Sequence, residues 1–388
     1  MWFFVVTSFH SFFAASLVLS AVFSTSLVLA QSSTTSSSAT FTKVAPPAIS
    51  SALLGDPNDL CYVADETRRY MQQGHAYDPN AIHAGKIAGA QIPVARVEQT
   101  LAFICQVVRE DQAAKHASRL ADAKFIQRHF EFIRWTPDRK AASALAKNKP
   151  LLQNLPAEQI LKTKYYVRMA DAAGTKSASH PHALYGLPFD EAHLDLASAD
   201  ALGKKITRFQ YGKQQILQGV LDANAGKPAK APALLWLSRD DLEGALLQGT
   251  AVVGQAPNYR YFNVHRTNGI PYDRRVTPEQ QQRYWYFKEV KSVLGYGKDA
   301  DYKIPIKPEV TVAGDIAQFG LGKLFLLGTT EHGKMQYRLT ILADTGGAFA
   351  NNLFQLDWLS GYYRDNAAYY AANRHRGDYS DAWILVKK

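Results

Sequence analysis

Residues 1–30 contain no Asp, Glu, Lys or Arg. An apolar run from Leu17 to Ser24 leads to Val28-Leu29-Ala30 ahead of Gln31. This reads as a secretory signal peptide over 1–30 ending in a small-residue cleavage pattern; an uncleaved N-terminal anchor is the alternative. No Cys follows that site, so a lipid-attachment Cys is not expected. No later stretch has the roughly 18 consecutive apolar residues that a membrane-spanning helix needs. Only Cys61 and Cys105 occur. In an exported chain they permit one disulfide; the alternative is two buried thiols, since Cys105 falls on the apolar face of an expected helix. A Gly-rich phosphate loop, a Cys-x-x-Cys pair and a Gly-x-Ser-x-Gly elbow are all missing. His180-Pro181-His182 has no third ligand at a sensible spacing. Neither a cofactor nor a metal is implied.

What is present fits an envelope protein. The 388 residues suffice for about two domains. At 47% hydrophobic and 20% charged, the chain has ample apolar material for cores. The net charge of +10 is spread without a dense basic block. Outside the cytoplasm that favours anionic polymers and surfaces: cell-wall glycan with its peptide carboxylates, lipid head groups, lipopolysaccharide. It argues against a nucleic-acid patch.

Residues 31–54, rich in Ser, Thr, Ala and Pro, read as a flexible tether. Val94, Val97, Leu101, Ile104 and Val108, then Ile126, Phe130 and Ile133, recur at three- and four-residue steps, so 93–135 reads as helical up to Pro137. Another helix is expected around 207–223. From about residue 160 short strand-like runs dominate, at 164–168, 233–237, 261–264, 323–327, 337–343 and 382–386. Asn268-Gly269 signals a tight turn. The expected class is mainly β with N-terminal helices.

The most informative segment is residues 341–361. A strand-like run ends at Asp344, beside Gly346-Gly347. Thirteen positions on, Asp357 lies among Phe354, Leu356, Trp358 and Leu359. A carboxyl held against apolar groups is disfavoured as an anion and keeps its proton to higher pH. That is the property of a general acid.

These residues resemble a known pattern. Asp344-Thr345-Gly346-Gly347-Ala348 followed by Asp357-Trp358-Leu359-Ser360-Gly361 resembles the C-terminal three-aspartate region of the membrane-bound lytic murein transglycosylase A family. Other segments match in the family's order: Thr163 to Arg168, His182 to Tyr185, Leu247 to Thr250, Thr267 to Tyr272, Tyr284 to Phe287, Phe319 to Leu326 and the final Trp383-Ile384-Leu385. The likeness spans roughly 95–388. The chain departs from the pattern at Val167, where the family has Glu, and at Ala367-Ala368 and Ala371-Ala372, where Ala-Gly pairs are usual.

The resemblance implies a double-psi β-barrel built from 55–174 and 284–388, with a smaller glycan-binding β-domain inserted at 175–283. It implies cleavage of the β-1,4 bond between N-acetylmuramic acid and N-acetylglucosamine, leaving 1,6-anhydro ends, by an exo-acting, lyase-type enzyme. Asp357 would be the single acid/base, with Asp344 supporting it. Tyr165, Tyr166, Gln248, Thr250, Asn268, Tyr272 and Trp358 are candidates to line the glycan groove. Peptidoglycan would be the partner, the protein a monomer, and its place the periplasm or outer membrane of a Gram-negative bacterium. Two other readings stay open: a non-catalytic peptidoglycan-binding relative, and hydrolysis by water with Asp344 as second carboxylate.

Overall fold

The computed structural model describes residues 39–388, apart from 146–149, 225, 274, 299–301 and 347–348. The expected signal peptide and residues 31–38 of the expected tether lie outside the described residues. The strands, in chain order, are β1 (Ala39–Val44), β2 (Phe130–Pro137), β3 (Ile160–Ala170), β4 (Ala172–Ala173), β5 (His182–Tyr185), β6 (Ala233–Leu237), β7 (Thr250–Gln255), β8 (Asn258–Thr267), β9 (Trp285–Val290), β10 (Thr311–Ala313), β11 (Leu324–Glu331), β12 (Lys334–Asp344), β13 (Gln355–Tyr363) and β14 (Arg376–Lys387).

Six of these close a barrel. β14, β11, β12, β10, β13 and β3 are neighbours in that order, and β14 pairs back to β3 through Tyr379–Leu161 and Ser380–Ile160. The β10–β12 and β13–β3 pairs are parallel and the others antiparallel. Closure leaves no open edge within the ring. β11, most of β12 and the C-terminal half of β14 are buried, with Phe325, Leu326, Ile341, Leu342, Ile384 and Leu385 all in the core. The class is mainly β with N-terminal helices, as the sequence implies.

The helix Pro57–Met71 starts where the Asp56 carboxylate accepts from the Asn58 N–H at 2.7 Å, with Pro57 in the first turn and Arg68 and Arg69 in the last. Those placements satisfy a free N–H and complement the helix dipole. It packs on the helix Val94–Ala114, and Cys61 and Cys105 join the two in a disulfide.

Three expectations are corrected here. Residues 39–44, assigned by composition to the tether, form β1 and pair with β2. Ala39 and Phe41 are buried in alternation, and Phe41 packs on Trp135 and Phe319 with ring centroids 5.7 and 5.6 Å away. The helical reading of 93–135 holds only in pieces: one helix ends at Ala114, Ala123–His129 is another, and Phe130–Pro137 is a strand. Phe130 and Phe132 also obey a two-residue period, and cross-strand pairing with β14 decides for the strand. The helix expected at 207–223 reduces to short turns and Lys213–Leu217.

Between β3 and β9 the chain builds a second core. Leu184, Leu235, Leu237, Leu242, Phe262, Tyr284 and Tyr286 pack together there. β7, β8 and β9 form a meander that continues the sheet from the far end of β3, while β4, β6 and β5 form a separate three-stranded sheet. Among the described residues no helix is long and apolar enough to cross a membrane.

Candidate active site

A cleft of about 560 Å³ opens where β3 leaves the barrel and the β7 segment begins. Tyr165, Tyr166, Gln248, Thr250, Lys303 and Asp344 line it, together with the loop Val293–Gly297. Four of the predicted glycan-contact residues therefore meet Asp344 in one place. β12 delivers Asp344 at its last residue. The Tyr165 hydroxyl donates to Asp344 Oδ2 at 2.7 Å, and the Thr345 N–H donates to Oδ1 at 2.8 Å. Burial pushes the Asp344 carboxyl up to about 6, against these two bonds and the positive charge of Lys303. Burial also drives the Tyr165 hydroxyl well above its usual range, with the Asp344 and Asp357 charges acting in the same direction. Near neutral pH the cleft therefore holds a carboxyl that titrates and a phenol that stays protonated.

Asp357 is half-buried on β13. It lies opposite Ala313 of β10 on one side and Thr163 of β3 on the other. Its charge reaches Tyr165 in the cleft and Tyr369, whose hydroxyl is raised to about 12 chiefly by burial.

Gln248 and Thr250 are partly committed within the protein. Gln248 Oε1 accepts from the Arg168 N–H at 2.9 Å, and the Thr250 hydroxyl donates to Asn263 Oδ1 at 2.9 Å. Tyr166 donates to Asn366 Oδ1 and stacks on Tyr369, with centroids 4.7 Å apart.

Three predicted contact residues are not brought to this cleft. Asn268 is 2% exposed, and its carboxamide is spent on backbone groups: it accepts from Ile270 and Tyr284 and donates to Tyr211 and Gln282. It fastens the loop between β8 and β9, and the chain bends beside it at Gly269, whose φ is 75°. Tyr272 stacks under the Arg283 guanidinium at 4.9 Å, in a separate small pocket with Lys213 and Glu243. Trp358 is fully buried in the barrel. Its indole N–H donates to the Glu309 carbonyl at 3.0 Å, and Lys162, Arg338 and Arg376 surround the ring at 4.6, 4.9 and 4.9 Å. Strand alternation places neighbours on opposite faces, so Asp357 faces away from that core.

Sequence reasoning missed Lys303 and the Val293–Gly297 loop. Gly295 and Gly297 were the available signal. A Cβ at Gly295 would stand 2.6 Å from the Ala343 carbonyl oxygen, and one at Gly297 2.5 Å from Lys303 Cα. Only glycine lets the loop lie this close to the strand that carries Asp344. Gly347 and Ala348 of the predicted turn lie outside the described residues. Among the described residues, the cluster of metal-ligand type is Cys61, Asp65 and Cys105, whose sulfurs are joined in the disulfide.

No family model and no curated protein matches the chain. Solved structures do. The chain is similar to a membrane-bound lytic murein transglycosylase from Agrobacterium tumefaciens, at 14% identity and a TM-score of 0.51, covering 89% of this chain and 97% of that one. It is similar also to MltA from Neisseria gonorrhoeae, at 16% identity and a TM-score of 0.51, covering 90% and 93%. Across nearly its whole described length, then, the chain has the fold of these two lytic transglycosylases.

Proposed function

We propose that this protein is an exported lytic transglycosylase that cleaves the β-1,4 bond between N-acetylmuramic acid and N-acetylglucosamine in peptidoglycan. The observation that carries the reading is the cleft itself. Neutral hydroxyl, amide and aromatic groups suited to sugars surround Asp344, whose carboxyl titrates near 6, on a fold shared with two lytic transglycosylases. The uncharged apolar segment at 1–30 supports export to the envelope.

In the proposed reaction one carboxyl serves twice. It gives its proton to the glycosidic oxygen as the bond to C1 breaks. The resulting carboxylate takes the proton of the muramic acid C6 hydroxyl as that oxygen bonds to C1, closing a 1,6-anhydro ring. Because the nucleophile belongs to the substrate, its effective concentration is high and no second carboxylate is needed to activate water. Motif resemblance assigns the role to Asp357, with Asp344 and Tyr165 setting the electrostatics beside it. One observation favours the exchanged assignment: Asp344 is the carboxylate among the residues lining the cleft.

Purified sacculi incubated with the mature protein, with the products weighed by mass spectrometry, test the reading. Anhydro-muropeptides are expected. Products with reducing ends would assign hydrolysis instead, and intact sacculi a binding protein. In the same assay Asp357→Asn should abolish turnover and Asp344→Asn should lower it. Full turnover by Asp357→Asn would transfer the acid/base role to Asp344.

A further inference from the structure

Of the residues lining the cleft, Lys303 is the cation and Asp344 the carboxylate. Lys303 sits on a short antiparallel loop. Leu294 bridges to Pro305, the Gly295 N–H donates to the Ile304 carbonyl, and the Tyr296 N–H donates to the Ala343 carbonyl. This loop is tied to the end of β12, so the lysine is held in the cleft wall. Its side chain is half-buried. Burial pushes the ammonium below the usual lysine range; Asp344 opposes that shift and Lys288 adds to it.

The Asp344 oxygens accept from Tyr165 and Thr345, and neither is bonded to the Lys303 ammonium, which Asp344 influences through its charge alone. Among the described residues, no carboxylate lies within ion-pair distance of Lys303. Taking a cation partly out of water without a partner is costly. A ligand anion that enters the cleft recovers that cost. The rest of the lining described above is neutral, so the lysine distinguishes between ligands that are alike in their sugars.

We propose that Lys303 is the specificity residue of the cleft: its ammonium binds a carboxylate carried on the 3-O-lactyl arm of the glycan, so charged strands are taken in preference to neutral amino-sugar oligomers. This rests on the reading that the cleft holds peptidoglycan. Two sources carry that chemistry: the free lactyl carboxylate of a strand stripped of peptide, and the carboxylates of an attached peptide stem.

Three probes separate them: soluble stem-bearing strands, amidase-stripped strands and neutral chitohexaose. Binding is measured with Asp357→Asn protein, to keep substrate intact, and with the same protein also carrying Lys303→Gln or Lys303→Arg. We expect Lys303→Gln to weaken carboxylate-bearing strands about tenfold, the size of one charge-assisted contact. Chitohexaose binding should stay within about twofold, which also reports intact folding, and Lys303→Arg should restore most of the loss. Loss confined to stem-bearing strands assigns the stem carboxylates; loss with stripped strands as well assigns the lactyl carboxylate. Equal loss for all three probes, or loss for none, overturns the proposal and leaves Lys303 as an electrostatic neighbour of Asp344. If the parent protein binds none of the three, the glycan reading itself falls.

Discussion

Asp344 and Asp357 share a neighbour: Ala313 of β10 is the register partner of both, with Asp344 on the parallel side and Asp357 on the antiparallel side. Two strand spacings separate their backbones, roughly 10 Å, with the smallest chiral side chain between them. The ladder shifts register at Val312–Ala313, as a β-bulge does, and bulges re-aim side chains at strand ends. Tyr165 lies within electrostatic reach of both acids and bonds to one.

Asp344 should make stability fall as pH rises. Its folded pKa of about 6 lies above the ordinary 3.8, so the folded state holds the proton more tightly than the unfolded chain. The contribution is fully present below about 4 and is lost as pH rises through 6. Asn mimics the neutral acid. Asp344→Asn should therefore match the parent in denaturant unfolding at pH 4, and exceed it by about 2–3 kcal/mol at pH 7.5. A difference independent of pH would refute the raised pKa.

Tyr165→Phe removes a donor that favours the Asp344 carboxylate. The Asp344 midpoint should climb further above 6 in an NMR titration of its carboxyl carbon. If that carboxyl acts in catalysis, one limb of the pH–rate profile moves with it. A midpoint that falls or stays put contradicts the hydrogen bond.

Trp358→Phe should cost stability and spare substrate affinity. The Glu309 carbonyl loses its indole donor, and three cations lose the indole face they surround. A loss of about 2–4 kcal/mol in unfolding is expected from the unsatisfied carbonyl and the core void, with KM unchanged. A raised KM at unchanged stability would place Trp358 back among substrate contacts.

Replacing both cysteines by Ser removes a crosslink spanning 44 residues. On the chain-entropy argument this lowers stability by about 4 kcal/mol. The effect should appear as a lower denaturation midpoint, and reductant should shift the parent protein alike while leaving the variant unmoved.

Much of the barrel was legible, because its strands have local signatures. Tyr337, Leu339 and Ile341 alternate on β12, and Ala382 to Val386 form a continuous apolar run on β14. Asp344 could be placed at a strand end by the turn chemistry that follows it. The β2 segment was misread because Ile126, Phe130 and Ile133 satisfy a helical period while Phe130 and Phe132 satisfy a strand period. Only the partner β14, some 250 residues away in sequence, breaks that tie.

The sequence by itself determined the mainly-β class, the barrel's longest strands and the two aspartates, since each depends on side-chain periods or turn residues within about twenty positions. It marks no strand at Asp357 and Trp358 and puts both at the site, whereas β13 sends these neighbours to opposite faces. Which of them meets the core was decided by the tertiary structure, through pairing with Val312 and Ala313. The same is true of Lys303. Its place in the cleft wall depends on a glycine-rich loop reaching the Ala343 carbonyl, a contact between segments nearly fifty residues apart that no local pattern encodes.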